Sequence, residues 1–216
     1  MTQIAALYPY WPAEAEWFVI GGPACELEAQ EVHSKFPHMK CVGFEPNEEA
    51  CRKQNTELAF PGVVHPYALW SETADLTLML PGGFDPKRAS VCAPENRPDF
   101  APEAVVKPFQ KTIGKPLDSL SDLLGPFTNA VLWIDIEFAE LAALQGATKL
   151  LDQVLLINLE SFFYRPDFVK INRLLTHRGF VLQQVWNMGE RTYVDAQDYI
   201  YAREDINGLA YKVQTY

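Results

Sequence analysis

What most constrains this chain is a repeated alternation between short apolar runs and amphipathic stretches. Trp17–Gly21 (WFVIG) is an apolar run closed by glycine, the pattern of a strand buried on both faces. Residues 24–35 read as a helix stopped by Pro37. Residues 40–45 (KCVGFE) form a second strand and 46–58 a second helix. Residues 63–70 form a third strand, interrupted by Pro66, and 76–80 a further one. Past a short helix over Leu117–Leu124 the alternation resumes. Residues 130–136 (AVLWIDI) are a strand, 137–151 a helix interrupted at Gly146, and 154–159 a strand. Residues 167–177 are a helix with Gly179 just beyond its end. Residues 180–186 and 193–203 then read as two strands joined by a turn at 187–189.

This order predicts an α/β fold, a mostly parallel sheet with helices on both faces. With no helix between them, the last two strands should form a C-terminal antiparallel pair. Across 216 residues there is no internal repeat and no linker, so a single domain over 1–216 is expected. Residues 81–103 break the pattern. Pro81, Gly82, Gly83, Pro86, Pro94, Pro98 and Pro102 forbid regular structure there. A loop of that length is either a lid over a site or a plain insertion, and both readings stand.

A formal charge of −10 argues against a nucleic-acid partner, which calls for clustered Lys and Arg. A small-molecule partner is expected instead. No apolar run approaches the ~20 residues that span a bilayer, so no membrane partner is expected. The first 17 residues hold no Lys or Arg, unlike a secretory signal, which points to a cytoplasmic location with reduced thiols. Cys25, Cys41, Cys51 and Cys92 form no Cys-x-x-Cys pair and have no His at zinc-ligand spacing, so no structural metal is expected. Composition says nothing about oligomeric state.

In an open α/β sheet, ligands sit beyond the carboxyl ends of the strands. The first strand ends in Gly21-Gly22-Pro23, a turn that lets the backbone approach a ligand closely. The second ends in Glu45, a carboxylate able to accept hydrogen bonds from both hydroxyls of a ribose. Turn and acid together suit a nucleoside cofactor. They do not by themselves separate NAD from S-adenosylmethionine. The dinucleotide fingerprint Gly-x-Gly-x-x-Gly is absent, and Glu26 and Glu28 at the following helix start disfavour a diphosphate more than a sulfonium. Asp135 ends an otherwise apolar strand, where a carboxylate needs a partner or a ligand.

Residues 18–55, with Phe44-Glu45-Pro46-Asn47, resemble the first two cofactor motifs of FkbM-type S-adenosylmethionine-dependent methyltransferases. Val19 and Cys25 stand where that family has Asp and Gly. Residues 132–144 (LWIDIEFAELAAL) followed by Gln145-Gly146-Ala147 are similar to its K-I-D-V-E-G-x-E-x-x-V-L-x-G segment, with Trp133 in place of Lys and Phe138 in place of Gly. Tyr67-Ala68-Leu69-Trp70, Leu117-Asp118-Ser119-Leu120 and Asn158-Leu159-Glu160 continue the likeness.

The resemblance implies a Rossmann-like methyltransferase fold with S-adenosyl-L-methionine as cofactor. It implies O-methylation of a hydroxyl on a small molecule such as a sugar or natural product. It places Gly21, Gly22, Pro23, Glu45, Pro46, Asn47, Ala68, Leu69 and Asp135 at the cofactor, with Glu45 on the ribose. A hydroxyl acceptor also benefits from a base, and Asp135, Glu137 and Glu160 share one edge as catalytic candidates. His65 is a further possible base, and Trp70, Phe84 and Tyr164 possible walls of an acceptor pocket. Two other readings stay open: a non-catalytic methyltransferase-like binding domain, and a nucleotide-dependent oxidoreductase.

Overall fold

The computed structural model of the chain describes residues 4–22, 26–81, 89–91, 106–161, 165–186 and 197–204. In chain order the strands are β1 (Trp17–Gly21), β2 (Lys40–Phe44), β3 (Gly62–His65), β4 (Tyr67–Leu69), β5 (Ala74–Pro81), β6 (Val106–Lys115), β7 (Ala130–Ile134), β8 (Val154–Ser161), β9 (Phe180–Trp186) and β10 (Gln197–Arg203). The helices are α1 (Glu26–Lys35), α2 (Glu48–Thr56), α3 (Leu117–Leu124), α4 (Glu140–Gln145) and α5 (Pro166–His177). A 7-stranded sheet runs β3-β2-β1-β7-β8-β10-β9. Its members from β3 to β8 are parallel, and β10 enters antiparallel between β8 and β9. The parallel sheet and its antiparallel C-terminal pair are therefore both present.

Successive side chains of a strand point to opposite faces, so each central strand feeds two cores. Val19, Leu132 and Ile134 pack with Leu120, Leu144 and Leu175 from α3, α4 and α5. Phe18, Ile20, Val131 and Trp133 pack on the other face with Ala29 and Val32 of α1. Ile4 and Leu7, from the N-terminal 3-10 turns, close that second layer. Both faces of the sheet are covered, which is why β1 and β7 read as unbroken apolar runs.

Four local expectations change. The strand over 63–70 is two strands in two sheets: β3 ends at His65, and after Pro66 the chain leaves as β4 to join β6. Proline has no N–H to continue the ladder, so the break falls there. β6 was not anticipated; it lies between β4 and β5 in a 3-stranded sheet. The strand over 130–136 stops at Ile134, and the helix over 137–151 shrinks to α4 plus a 3-10 turn at Leu150–Gln153. Glu137 and Phe138 take φ of 53° and 79°, left-handed values that no α-helix contains. The turn at 187–189, like residues 193–196 of the last strand and most of the proline-rich stretch, lies outside the described residues.

Candidate active site

At the carboxyl ends of β1, β2 and β7 lies a cavity of about 600 Å3, its open mouth included. Backbone contacts join the three strand ends around it. Gly22 N–H donates to Phe44 O at 3.1 Å, and Asp135 N–H donates to Gly21 O at 3.1 Å. Gly22 sits at φ +74°, and a Cβ there would lie 1.6 Å from the carbonyl oxygen of Asp135. Glycine is needed for the conformation and for the closeness alike.

Glu45 follows β2, and its N–H donates to His65 O at 3.0 Å, extending the β2–β3 ladder by one step. Its Oε1 accepts from Asn47 N–H at 2.8 Å. Asn47 in turn caps α2, its Oδ1 accepting from Glu49 and Ala50 N–H at 3.1 and 3.2 Å. Burial pushes the Glu45 carboxyl up to about 7, against the pull of the Asn47 N–H. By accessible surface Glu45 is only half-buried, because its open side is the cavity it lines. The dense protein around that cavity, rather than bulk water, sets its proton affinity.

Asp135 lines the opposite wall with Ile136 and Glu137. Burial holds its carboxyl well above the usual range, reinforced by the charge of Glu160, a hydrogen bond between the two side chains, and the charges of Glu137 and Asp198. Glu160 lies in β8, one step past the paired Ile134 and Leu159, and its partner across the next ladder is Asp198 in β10. Asn158 Nδ2 donates to Asp198 Oδ1 at 2.9 Å. The left-handed turn is held from both sides: Phe138 N–H donates to Glu140 Oε1 at 2.8 Å, and the Arg165 guanidinium lies 4.5 Å above the Phe138 ring. Burial raises Glu140 to about 7.

Pro81 of the proline-rich stretch ends β5; beyond it Ala89, Ser90 and Val91 are described, and all three line the cavity. Ser90 exchanges backbone hydrogen bonds with Met79 of β5, at 2.7 and 3.0 Å, and its hydroxyl donates to the carbonyl of Glu137.

Of the residues singled out by sequence, Gly22, Glu45, Pro46, Ala68, Leu69, Asp135 and Glu137 meet in this cavity. Gly21 lies one residue behind it in β1. Asn47 holds Glu45 and caps α2 instead of facing the space. Glu160 stands behind Asp135. Pro23, Cys25, Phe84, Cys92 and Tyr164 lie outside the described residues. His65 stacks between Phe44 and Tyr67, at 5.9 and 6.5 Å, and burial lowers its proton affinity. Cys41 and Cys51 are free thiols, Cys41 pushed up to about 12 by burial. Phe44, Leu78, Ile136 and Ala139 are cavity residues that sequence reasoning missed, while Ala89, Ser90 and Val91 belong to the stretch for which a lid over a site was one of two readings. Asp198 was missed too, because only the antiparallel register of β10 brings it opposite Glu160.

A family model described as the methyltransferase FkbM domain matches residues 26–182. No curated protein sequence matches the chain. A protein named as an RNA methyltransferase from Pyrococcus horikoshii is structurally similar, with TM-score 0.45 and 10% identity, over 93% of this chain and 79% of that one. A precorrin-6y C5,15-methyltransferase from Geobacter metallireducens gives TM-score 0.44 and 14% identity, over 92% and 84%. LepI in complex with SAM gives 0.44 and 10%, over 94% of this chain and 47% of that one.

Proposed function

Since this chain belongs to the FkbM methyltransferase family, we propose that it transfers a methyl group from S-adenosyl-L-methionine to a hydroxyl of a small molecule. The observation that carries this reading is the cavity at the ends of β1, β2 and β7, with Glu45 on one wall and Asp135 on the other. The residues present fit the cofactor. Among the described residues the Glu45 carboxylate accepts one hydrogen bond, from Asn47, so acceptor capacity is left for the two ribose hydroxyls. Phe44, Ala68, Leu69 and Leu78 supply apolar walls for a base. Gly21 and Gly22 would bring backbone close to the amino-acid end, and Pro46 and Asn47 would fix Glu45.

When bound, the cofactor supplies an already activated methyl group, so the protein's task is mainly alignment. Glu45 anchors the ribose. Asp135, with Glu137 and Glu160 beside it, orients the acceptor hydroxyl and takes its proton. Of the positions that depart from the family pattern, Val19, Trp133 and Phe138 do not line the cavity. Val19 and Trp133 are buried in the two cores, and Phe138 packs beneath Arg165. That favours an active enzyme over a non-catalytic binding domain. The net charge of −10 favours a small acceptor over nucleic acid. Among the described residues no helix is long and apolar enough to cross a membrane.

Calorimetric titration with S-adenosylhomocysteine and with NAD tests the reading. Binding of the first at micromolar affinity or better, and not of the second, is expected. Binding of NAD alone would move the chain to the oxidoreductases.

A further inference from the structure

Resting on that cofactor reading, we infer that Gln110 of β6 is a positioning residue for the cofactor. It fixes the turn that carries Glu45, and so holds the ribose-binding carboxylate in one place relative to the apolar wall that β4 and β5 supply. Gln110 itself does not line the cavity.

The contacts within the turn leave two backbone groups to be satisfied. Asn47 caps α2 by accepting from the N–H groups of Glu49 and Ala50, and Glu45 accepts from the N–H of Asn47. The N–H of Glu48, first residue of the helix, and the carbonyl of Pro46 take no part in these bonds. Gln110 serves both with one side-chain amide. Its Oε1 accepts from Glu48 N–H at 3.2 Å, and its Nε2 donates to Pro46 O at 2.9 Å. Nε2 also reaches the carbonyl of Lys111, at 3.4 Å. The reverse amide orientation would set donor against donor and acceptor against acceptor, so the two bonds fix the side chain as well as the turn. The register of β6 brings Gln110 there from 64 residues away. Gln110 pairs with Leu78 of β5, and the register shifts immediately afterwards, where Met79 pairs with Pro108. Opposed residues of an antiparallel pair share a face, so Gln110 stands beside Leu78, which is buried and lines the cavity. Bulges re-aim side chains next to functional sites. Here the extra residue, Phe109, is exposed and Gln110 faces the turn.

The small sheet thus meets the cofactor cavity in two ways: through the side chains of Ala68, Leu69 and Leu78, and through the bonds of Gln110 to the Glu45 turn. The large sheet holds Glu45 from its other side, by the bond of its N–H to His65 O. Without Gln110 the turn keeps its helix cap and its place at the end of β2, so the protein still folds. The carboxylate, however, is no longer tied to the wall against which the base packs. Ordering it then falls to the ligand, and the cost is felt at the ribose hydroxyls.

Calorimetric titration with S-adenosylhomocysteine and with its 2′-deoxy analogue reads this role directly. The unmodified protein should prefer S-adenosylhomocysteine by about tenfold, the worth of one hydrogen bond to a carboxylate. Gln110→Ala should weaken S-adenosylhomocysteine roughly tenfold and the analogue less, so that the preference falls to about threefold or lower. Gln110→Met keeps the length of the side chain without its hydrogen bonds; it should behave alike, and it serves if the alanine variant fails to fold. A merely structural loss would weaken both ligands equally and leave the preference as it was. That result, or unchanged affinities, would overturn the role of Gln110. An unmodified protein that binds both ligands equally would overturn the ribose role of Glu45 and the inference with it. One that binds neither would overturn the cofactor reading itself.

Discussion

Glu45 shows how one residue can be specified by its neighbours. Its carboxylate is oriented by Asn47, which the α2 cap needs in any case, and its proton affinity is raised because its open side is a cavity. Glu45→Ala would leave bound ribose hydroxyls without their charged acceptor, a loss of ~1.5–3 kcal/mol, so S-adenosylhomocysteine affinity should drop roughly ten- to a hundredfold by calorimetry. The ligand favours the ionised form of a group that titrates at about 7 in the free protein. Affinity should therefore weaken as pH falls from 8 to 6, and Glu45→Gln should flatten the profile. Phe138 makes the same point through backbone. At φ 79° it adopts a glycine conformation, but the residue is only 5% exposed and Arg165 lies over its ring. Phe138→Gly and Phe138→Ala both lose the ring, and only alanine retains the strained φ. The glycine variant should be the more stable of the two by ~1 kcal/mol in thermal unfolding.

At the scale of elements, the ends of β1 and β7 are seated on each other through Gly22. Gly22→Ala would place Cβ 1.6 Å from the Asp135 carbonyl oxygen, so the two strand ends must part. A loss of stability on the order of 3 kcal/mol, with S-adenosylhomocysteine binding reduced, is expected from melting and calorimetry. An alanine variant of unchanged stability would show that the loop relaxes freely. Elements were legible wherever burial made the pattern strong. β1, β2, β7 and β8 are buried runs between helices, and they were read within about two residues of their bounds. β6 was illegible because most of its side chains are exposed or half-buried and Pro108 interrupts it at a register shift. The late start of α4 was illegible for another reason. Nothing in Glu137-Phe138 demands positive φ; contacts from Glu140, Ser90 and Arg165 accompany it.

Over the whole molecule, the buried acids make stability depend on pH in an unusual direction. Glu45, Glu140 and Asp135 all have proton affinities raised mainly by burial, the first two to about 7. An acid raised on folding keeps more protons in the native state, so stability is highest below its unfolded pKa and is lost as pH rises towards the folded one. The window here runs from about 4.5 to 7 for Glu45 and Glu140. Lowered His65 opposes the trend as a single group, and Glu49, held low by Arg52, acts only below it. The melting temperature of the free protein should fall by on the order of 5 °C between pH 5.5 and 8. The double variant Glu45→Gln, Glu140→Gln should show a shallower slope, the remainder coming from Asp135; a melting temperature rising over this range would contradict the buried placement of these acids. Sequence alone determined the alternation of strands and helices, the glycine turn and the acids at strand ends, because each follows from local period, backbone freedom or burial. Tertiary structure alone decided which acids meet. Asp135, Glu160 and Asp198 are far apart in the chain and adjacent only through parallel and antiparallel register. Ser90 reaches the turn at Glu137 across 47 residues. Such proximity depends on strand order and on the path of an insertion, and neither is written in any local pattern.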